Sequence, residues 1–322
     1  MKQVRPKKNL GQHFLTDLDI ARAIADTVDA CPALPVLEVG PGMGVMTQFL
    51  VEKPRALKVV EIDRESVAFL NEHFPQLREN ILGEDFLRMD LKRVFDGQSF
   101  VLTGNYPYDI SSQIFFKMLD NKELIPCCTG MIQREVAQRI ASQPGTKAYG
   151  ILSVLIQAWY RVEYLFTVDE NVFNPPPKVK SAVIRMTRND VTDLGCDERL
   201  FRRVVKTVFN QRRKMLRVSL RQLFTNGDMP NVDFFTEEIM TKRPEQLTIS
   251  QFCGADQHGG GKDSELSHEQ GVDGEADYGE SKDGENGPGM AVAVDMVERW
   301  HRVTAAYVKV ALLVNVVGKQ GK

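Results

Sequence analysis

The sequence LEVGPGMG, residues 37–44, joins a short apolar run to a loop that contains three glycines. An apolar run of this length that ends in glycine is typical of a buried strand followed by a sharp turn. Glycines at such a turn let the backbone approach a bound ligand closely, because no side chain intervenes. The stretch therefore predicts a strand over 36–39 and a ligand-binding loop directly after it.

Further short apolar runs follow at nearly regular intervals, and each is followed by a segment long enough for a helix. They lie at 57–62, 80–82, 100–103 and 127–132, with a late strand at 183–186. Helices are expected over 18–28, where apolar residues share one face behind a polar cap, and over 151–162. This alternation of strands and helices predicts an α/β fold with a doubly wound parallel sheet.

The composition is that of a folded soluble protein, with 322 residues, 43% hydrophobic and 26% charged. We find no signal-peptide pattern and no apolar run long enough to span a bilayer, so we expect a cytoplasmic protein without a membrane partner. The five cysteines lack CxxC spacing and the five histidines are scattered. We therefore expect buried free thiols and no metal site.

The net charge of −2 conceals an acidic C-terminal region. Residues 254–322 contain 7 basic and 12 acidic residues, whereas residues 1–253 contain 34 basic and 31 acidic residues. The segment 254–289 is rich in Gly, Asp and Glu and has few large apolar residues, so we expect a disordered acidic linker. Residues 290–322 are apolar again and form an extension to which the sequence assigns no role.

A basic segment precedes the acidic linker. Residues 199–221 include nine basic residues and no acid, and their apolar residues share one face. The pattern predicts an amphipathic helix broken near Asn210, within a small helical domain over 191–253 that follows a first domain over 1–190. We expect this surface, with Arg212, Arg213 and Lys214, to bind RNA phosphates, and a merely solvated helix face is the alternative.

Polar side chains at the ends of the predicted strands suit a nucleoside, and ligands of open parallel sheets bind at these ends. Glu61 ends the second strand and is placed to accept hydrogen bonds from a ribose diol. Asp85 follows the third strand and suits an adenine amino group. The glycine loop GPGMG differs from the GxGxxG of an NAD site. The combination resembles the S-adenosylmethionine site of Rossmann-like methyltransferases.

The fourth predicted strand runs into GNYPY, residues 104–108, which matches the loop of enzymes that methylate exocyclic amines. An adenine amine is a poor nucleophile because its lone pair is delocalised into the ring. The side-chain oxygen of Asn105 and a backbone carbonyl near Tyr106 can each accept one N–H bond, which favours a pyramidal nitrogen. Tyr108 can stack on a flipped-out base, an interaction that contributes roughly 1–3 kcal/mol. Taken alone, the tetrapeptide could equally be an ordinary turn with two packing tyrosines.

Six motifs then appear in a fixed order. They are NLGQHFL at 9–15, LEVGPGMG at 37–44, VVEID at 59–63, GNYPY at 104–108, QREVAQR at 133–139 and VFNPPPKVKSAVIRM at 172–186. Together they resemble the bacterial ribosomal RNA small-subunit adenine dimethyltransferase family, over about residues 7–253.

The resemblance implies a Rossmann-like methyltransferase that uses S-adenosylmethionine to dimethylate the N6 amines of two adjacent adenines. These adenines lie in the 3′-terminal hairpin loop of 16S rRNA, within an assembling small ribosomal subunit. We expect the enzyme to be a monomer. The implied cofactor-binding residues are His13, Leu15, Gly40, Gly42, Glu61, Asp85 and Asn105. The implied catalytic residues are Asn105, Tyr108 and Phe173, with Phe173 facing the target base across from Tyr108.

Two positions depart from the family pattern. His13 stands where asparagine is more frequent, and an imidazole can still donate one hydrogen bond to the cofactor. Tyr106 stands where leucine is commoner, and we expect this change to matter little because a backbone carbonyl acts there. Two functional alternatives remain open: methylation of adenine in large-subunit rRNA, and a non-catalytic RNA-binding assembly factor. The FNPPPKVKS segment and the helical domain disfavour DNA as a substrate.

Overall fold

The computed structural model of the chain describes residues 6–7, 12–223 and 237–253. The acidic linker and the extension predicted over 254–322 lie outside the described residues. Within the described ranges, no helix is long and apolar enough to cross a membrane. No group of His, Cys, Asp and Glu side chains in those ranges is arranged to hold a metal ion.

A seven-stranded mixed sheet forms the centre of the fold. Its spatial order is β4 (Ile81–Leu82), β3 (Leu57–Val60), β2 (Val36–Val39), β5 (Val101–Thr103), β6 (Cys127–Gln133), β9 (Ser181–Arg188) and β7 (Tyr160–Val168). The first five strands are parallel, and β9 lies antiparallel to both of its neighbours. Because the strand order reverses beside β2, a ligand crevice is expected at the carboxyl ends of β2 and β5.

A separate antiparallel pair joins the N-terminal segment to the proline-rich segment. It consists of β1 (Phe14–Leu15) and β8 (Phe173–Asn174), with Leu15 opposite Phe173. The backbone N–H and the hydroxyl of Thr16 both donate to the carbonyl of Val172, at 2.8 and 2.9 Å. The N-terminal segment is therefore fixed to the proline-rich segment, far along the chain.

Ten α-helices surround the sheet in the described ranges. They are α1 (Leu18–Asp26), α2 (Thr47–Leu50), α3 (Arg64–His73), α4 (Ser111–Asp120), α5 (Arg134–Ile140), α6 (Ile151–Gln157), α7 (Glu198–Asn210), α8 (Leu216–Ser219), α9 (Glu238–Thr241) and α10 (Ile249–Cys253). Aspartates begin three of the longer ones, because the side chains of Asp17, Asp63 and Asp197 accept N–H bonds from the first turns of α1, α3 and α7.

Successive strand residues enter two separate apolar clusters, one on each face of the sheet. Val36, Val59 and Val101 belong to the cluster that α1 and α2 cover. Their next neighbours along the chain, including Leu37 and Leu102, belong to the cluster that α4, α6 and α7 cover. Both faces are therefore buried, which explains why the strands are apolar throughout rather than alternating. The predicted doubly wound α/β sheet is confirmed.

Two sequence-based expectations were wrong in this region. The helix predicted over 151–162 ends at Gln157, and its last residues belong to the missed strand Tyr160–Val168. The segment is apolar over its whole length, so periodicity alone gave no sign of where the helix ends. The expectation of five free thiols also fails, because Cys31 and Cys127 form a disulfide while Cys128, Cys196 and Cys253 are free. A sequence separation of 96 residues gives no local pairing signal.

The basic segment is helical and is broken near Asn210, as predicted. The helix α7 ends at Asn210, and α8 begins at Leu216. The helices α7, α8 and α10 pack in the same apolar cluster as α4 and α6. Ring contacts continue across this junction, with centroids 6.1 Å apart both between Tyr149 and Phe209 and between Phe209 and Phe252. The domain boundary near residue 190 stays a prediction.

Replacing Gly130 with alanine is expected to lower the free energy of unfolding by about 3 kcal/mol or more. The added Cβ would lie 2.3 Å from the carbonyl oxygen of Gly104 and 2.7 Å from the ring of Tyr106, at a φ of +144°. Urea denaturation followed by circular dichroism measures the change. Gly97→Ala is the control, because its φ of +81° is also left-handed but no atom lies within 4 Å of the added Cβ. Equal losses in the two variants would contradict the steric argument.

Candidate active site

A cavity of about 260 Å³ opens at the carboxyl ends of the parallel strands. It is lined by the N-terminal segment, the glycine loop, the end of β3, the loop after β4 and the loop after β5. Eight predicted site residues share this lining: His13, Leu15, Gly40, Gly42, Glu61, Asp85, Asn105 and Tyr108. The structure therefore brings together side chains that lie up to 95 positions apart in the sequence.

The glycine loop is bonded directly to the acid at the end of β3. The N–H of Gly42 donates to Oε2 of Glu61 at 3.0 Å, and the N–H of Asp63 donates to Oε1 at 2.9 Å. Both Gly40 and Gly42 have a left-handed φ, at +68° and +56°. Burial raises the pKa of Glu61, while these backbone donors oppose the shift. The carboxylate is held in one orientation at the cavity wall, where it can accept further bonds from a diol.

A second buried acid, Glu38, lines the cavity and was missed by the sequence reasoning. Its side chain is 1% exposed, and its Oε2 accepts a 2.6 Å hydrogen bond from the hydroxyl of Thr47. Burial is the main cause that raises the pKa of Glu38 to about 8, and the charge of Glu61 adds to it. The available signal was the presence of an acid inside the apolar run LEV.

The loop after β4 presents Asp85 to the cavity. Its Oδ1 accepts the N–H of Leu87 at 2.9 Å, and its Oδ2 lies 3.4 Å from Nε of Arg88. Ile62 also lines the cavity, and at 54% exposure it is the one isoleucine of the described residues among the exposed large apolar side chains. A carboxylate and an exposed apolar side chain in the same cavity lining can offer a polar edge contact and a flat apolar contact to a purine.

Main-chain pairing holds Asn105 in place. Asn105 forms a parallel bridge with Met131, and the N–H of Tyr106 donates to the carbonyl of Met131 at 3.0 Å. The side-chain Nδ2 of Asn105 donates to the carbonyl of His13 at 3.4 Å. Since a carbonyl can only accept, this contact assigns the amide nitrogen to His13 and leaves Oδ1 to accept a bond from another donor.

Tyr106 has a packing role, although the comparison with the family pattern led us to expect that the side chain at this position matters little. Its ring is 1% exposed and lies beside Gly104 and Gly130, where added Cβ atoms would be 3.2 and 2.7 Å from ring carbons. Its hydroxyl donates to the carbonyl of Thr129 at 2.9 Å and contacts the thiol of Cys128 at 3.2 Å. The side chain of Tyr106 therefore fixes the GNYPY loop to β6.

Tyr108 lines the cavity and makes one hydrogen bond and one ring contact. Its hydroxyl hydrogen-bonds to that of Ser181, and its ring lies against His13 with centroids 5.6 Å apart and an interplanar angle of 27°. The Nδ1 of His13 donates to the carbonyl of Pro175 at 2.8 Å. His13 thus connects the N-terminal segment, the GNYPY loop and the proline-rich segment, which are three of the family motifs.

Phe173 does not face the cavity, contrary to the expectation. The side chain is 4% exposed, is absent from the cavity lining and packs in the apolar cluster with Leu15 and Val168. Phe173 is the cross-strand partner of Leu15, and both side chains pack in this cluster, although Leu15 also borders the cavity. Phe14, the neighbour of Leu15, lines the cavity instead, with a ring carbon 3.0 Å from the position of a Cβ on Gly42.

The three predicted RNA-binding residues differ in their surroundings. Arg213 and Lys214 are exposed on the segment between α7 and α8. Arg212 is half-buried, donates to the carbonyl of Thr146 at 3.1 Å and lies 3.8 Å from Glu245. Arg212 therefore joins the helical segment to the preceding one, whereas Arg213 and Lys214 are open to solvent.

Replacing Glu38 with glutamine is expected to flatten the pH dependence of stability. Because the pKa of Glu38 is about 8 in the folded state and about 4.3 when unfolded, the folded state retains a proton that the unfolded state releases. The free energy of unfolding of the wild type therefore falls as pH rises from about 5 to 8. The free energy of unfolding of the variant, relative to the wild type, rises by up to roughly 1.4 kcal/mol per pH unit. Urea unfolding at each pH measures this, with exposed Glu72→Gln as the control. Parallel pH curves for the wild type and Glu38→Gln would contradict the assignment.

Comparison with known proteins gives one family. The family described as ribosomal RNA adenine dimethylase matches residues 3–253. Proteins named ribosomal RNA small subunit methyltransferase A from Bacteroides fragilis and Bacteroides thetaiotaomicron are each 68% identical over 252 residues. These alignments cover 78% of this chain and 91% and 93% of the two relatives.

Solved structures agree on the fold. The crystal structure of a dimethyladenosine transferase from Plasmodium falciparum matches with a TM-score of 0.58 and 22% identity, over 74% of this chain and 94% of that one. The crystal structure of the 23S rRNA methyltransferase ErmE matches with a TM-score of 0.52 and 26% identity, over 72% of this chain and 96% of that one. The sequence resemblance is confirmed, and the chain belongs to the ribosomal RNA adenine dimethylase family.

Proposed function

We propose that the chain dimethylates the N6 amines of two adjacent adenines in the 3′-terminal hairpin loop of 16S rRNA. The substrate is the assembling small ribosomal subunit in the cytoplasm, and the enzyme acts as a monomer with S-adenosylmethionine. The observation that carries the proposal is the orientation of Asn105, whose Oδ1 is left to accept an N–H bond in a cavity shared with Glu61 and Asp85. The relatives named small subunit methyltransferase support the choice of substrate.

The cavity residues fit S-adenosylmethionine. The buried carboxylate of Glu61 suits a ribose diol, and Asp85 with the exposed Ile62 suits an adenine ring. The left-handed glycines would let the main chain come close to the methionine part of the cofactor, and His13 and Leu15, which line the same cavity, would lie over it. When bound there, the cofactor supplies an electrophilic methyl group on its sulfonium.

The chain's own residues act on the amine mainly by positioning it. The Oδ1 of Asn105 and a main-chain carbonyl of the loop accept its two N–H bonds and direct the nitrogen lone pair into the cavity. The ring of Tyr108 holds the plane of the flipped base. Such preorganisation contributes up to about 7–11 kcal/mol to lowering a barrier. Because Phe173 is buried here, base stacking is assigned to Tyr108, and a stacking role for Phe173 requires that β8 shift.

The alternative of a large-subunit substrate has weaker support. The large-subunit methyltransferase ErmE is 26% identical to this chain, whereas the proteins named small subunit methyltransferase are 68% identical. The alternative of an assembly factor without chemistry does not require the amide orientation found at Asn105. A single assay with two substrates and one variant tests all three possibilities.

The Asn105→Ala variant is expected to lose at least about 100-fold in the rate of methyl transfer, because two-point orientation of the amine is lost. The affinity for small subunits is expected to stay within about threefold, since the phosphate contacts that dominate RNA affinity are untouched. Radiolabelled S-adenosylmethionine is supplied with unmethylated small or large subunits, and mass spectrometry locates the methyl groups. Labelling of large subunits alone would refute the proposed substrate, and equal activity of wild type and variant would refute the role of Asn105.

Neutralising Arg213 and Lys214 to glutamine is expected to weaken small-subunit binding and to flatten its salt dependence. Each lost phosphate contact reduces the slope of log affinity against log salt by about 1. Arg212 is left intact because it also joins the helical segment to Thr146. The control neutralises the exposed pair Lys92 and Arg93, which removes the same charge elsewhere. An unchanged salt slope in the first variant would count against an RNA-binding role for this surface.

A further inference from the structure

The loop after β4, residues 84–90, is organised around Asp85. The carbonyl of Asp85 accepts N–H bonds from Arg88 and Met89, both at 3.0 Å, while its Oδ1 accepts the N–H of Leu87 at 2.9 Å. Phe86 and Met89 are buried and fix the other side of the loop. The direction of the carboxylate therefore depends on the orientation of the peptide group that carries the Leu87 N–H.

Lys117 reaches this loop from α4. Its Nζ donates to the carbonyl of Leu87 at 3.1 Å and to that of Met89 at 2.5 Å, and it lies 5.5 Å from the ring centroid of Phe86. The residue is half-buried, and burial lowers the pKa of Lys117 although the carboxylates of Asp85, Asp90 and Asp120 oppose the shift. An ammonium removed from water in this way needs the two carbonyls as partners.

We propose that Lys117 is a positioning residue that orients the carboxylate of Asp85 and thereby sets the preference of the cavity for an adenine nucleoside. This inference rests on the proposed function, in which Asp85 accepts a bond from the adenine amine of the cofactor. Leu87 is the connecting residue, because its carbonyl accepts from Lys117 and its N–H donates to Asp85. The contact acts through Leu87, and Lys117 itself is not part of the cavity lining.

The same lysine connects the Asp85 loop with the helix that follows the segment carrying Tyr108. Its helix α4 begins directly after Tyr108–Ile110, the segment that carries the predicted base-stacking ring. Ile114, Phe115 and Met118 bury the inner face of α4 and fix it against the sheet. The loop proposed to bind the adenine of the cofactor is therefore tied by Lys117 to the helix that follows the loop proposed to hold the target base.

Arg88 is the competing candidate for orienting Asp85. Its Nε lies 3.4 Å from Oδ2 of Asp85, but its side chain is 89% exposed. Ion pairs exposed to this degree contribute little, because water screens them and the long side chain must be ordered. Arg88→Met therefore serves as the matched control: it removes a cation from the same carboxylate without removing a buried contact.

The test measures the dissociation constants of S-adenosylhomocysteine and of its inosine analogue, in which a carbonyl oxygen replaces the amine. Isothermal titration calorimetry is applied to the full chain and to the variants Lys117→Met, Lys117→Arg and Arg88→Met. In Lys117→Met the preference for the adenine compound is expected to fall about tenfold. The Lys117→Arg variant should lose less of this preference, because arginine keeps the positive charge. The preference of Arg88→Met should equal that of the wild type. The value of kcat at saturating cofactor should change less than twofold in all three.

A double-mutant cycle with Asp85→Asn separates this inference from the proposed function. If Lys117 acts through Asp85, adding Lys117→Met to Asp85→Asn causes little further loss of preference. Additive losses, or a preference that Lys117→Met leaves intact while Asp85→Asn abolishes it, would overturn the role of Lys117 alone. A preference that survives Asp85→Asn would overturn the adenine contact and this inference together. Thermal unfolding establishes that each variant is folded at the assay temperature, and Lys117→Arg supplies the comparison if Lys117→Met is not.

Discussion

The pairing of β5 with β6 continues past the regular end of β5, and the active site depends on this extension. The N–H of Met131 donates to the carbonyl of Gly104, and the N–H of Tyr106 donates to the carbonyl of Met131. Asn105 lies between these two bonds, which restrict the position of its main chain. An amide carried on a free loop would have to be ordered in each catalytic cycle, with a loss of conformational entropy. Here the pairing with β6 orders the amide when the protein folds.

The space beneath this extension is unusually crowded. Gly104 and Gly130 leave room for the ring of Tyr106, whose hydroxyl bonds to the carbonyl of Thr129. The ring lies edge-on to Phe115 of α4, with centroids 5.7 Å apart. The GNYPY loop, which is proposed to hold the target amine, is therefore supported both by the sheet and by α4.

Two acids close to the glycine loop show how the site opposes folding stability. Glu38 and Glu61 are both buried, and burial raises the pKa of each. Their ionisation is costly without partners, and the partners present are the hydroxyl of Thr47 and two backbone N–H groups. A buried acid that is only partly satisfied by the protein is suited to bind a polar ligand, because the ligand completes its hydrogen bonds.

Much of this arrangement could be predicted from the sequence, and the residues that escaped prediction share a reason. Glu61, Asp85 and Asn105 each follow a strand of a parallel sheet, so strand order alone places them at one edge. The burial of Phe173 depends on the β1–β8 register, which joins segments 158 residues apart, as Leu15 and Phe173 are. Lys117 and the Cys31–Cys127 bond likewise arise from contacts distant in sequence. Local patterns carry no information on such pairs, and only the packed structure does.

The shared apolar cluster gives the basic surface a fixed position relative to the cavity. Tyr149 precedes the predicted domain boundary and Phe209 follows it, yet their rings are in contact and both belong to the cluster that supports α4. The carbonyl of Glu245 accepts the N–H of Gly145 at 2.7 Å, and Arg212 bonds to the adjacent Thr146. The segment with Arg213 and Lys214, which is proposed to bind RNA, therefore follows a helix that packs on the same apolar cluster as α4. If RNA phosphates bind there as proposed, these contacts would restrict the position of the target base before it enters the cavity, and binding energy would be used to orient the amine.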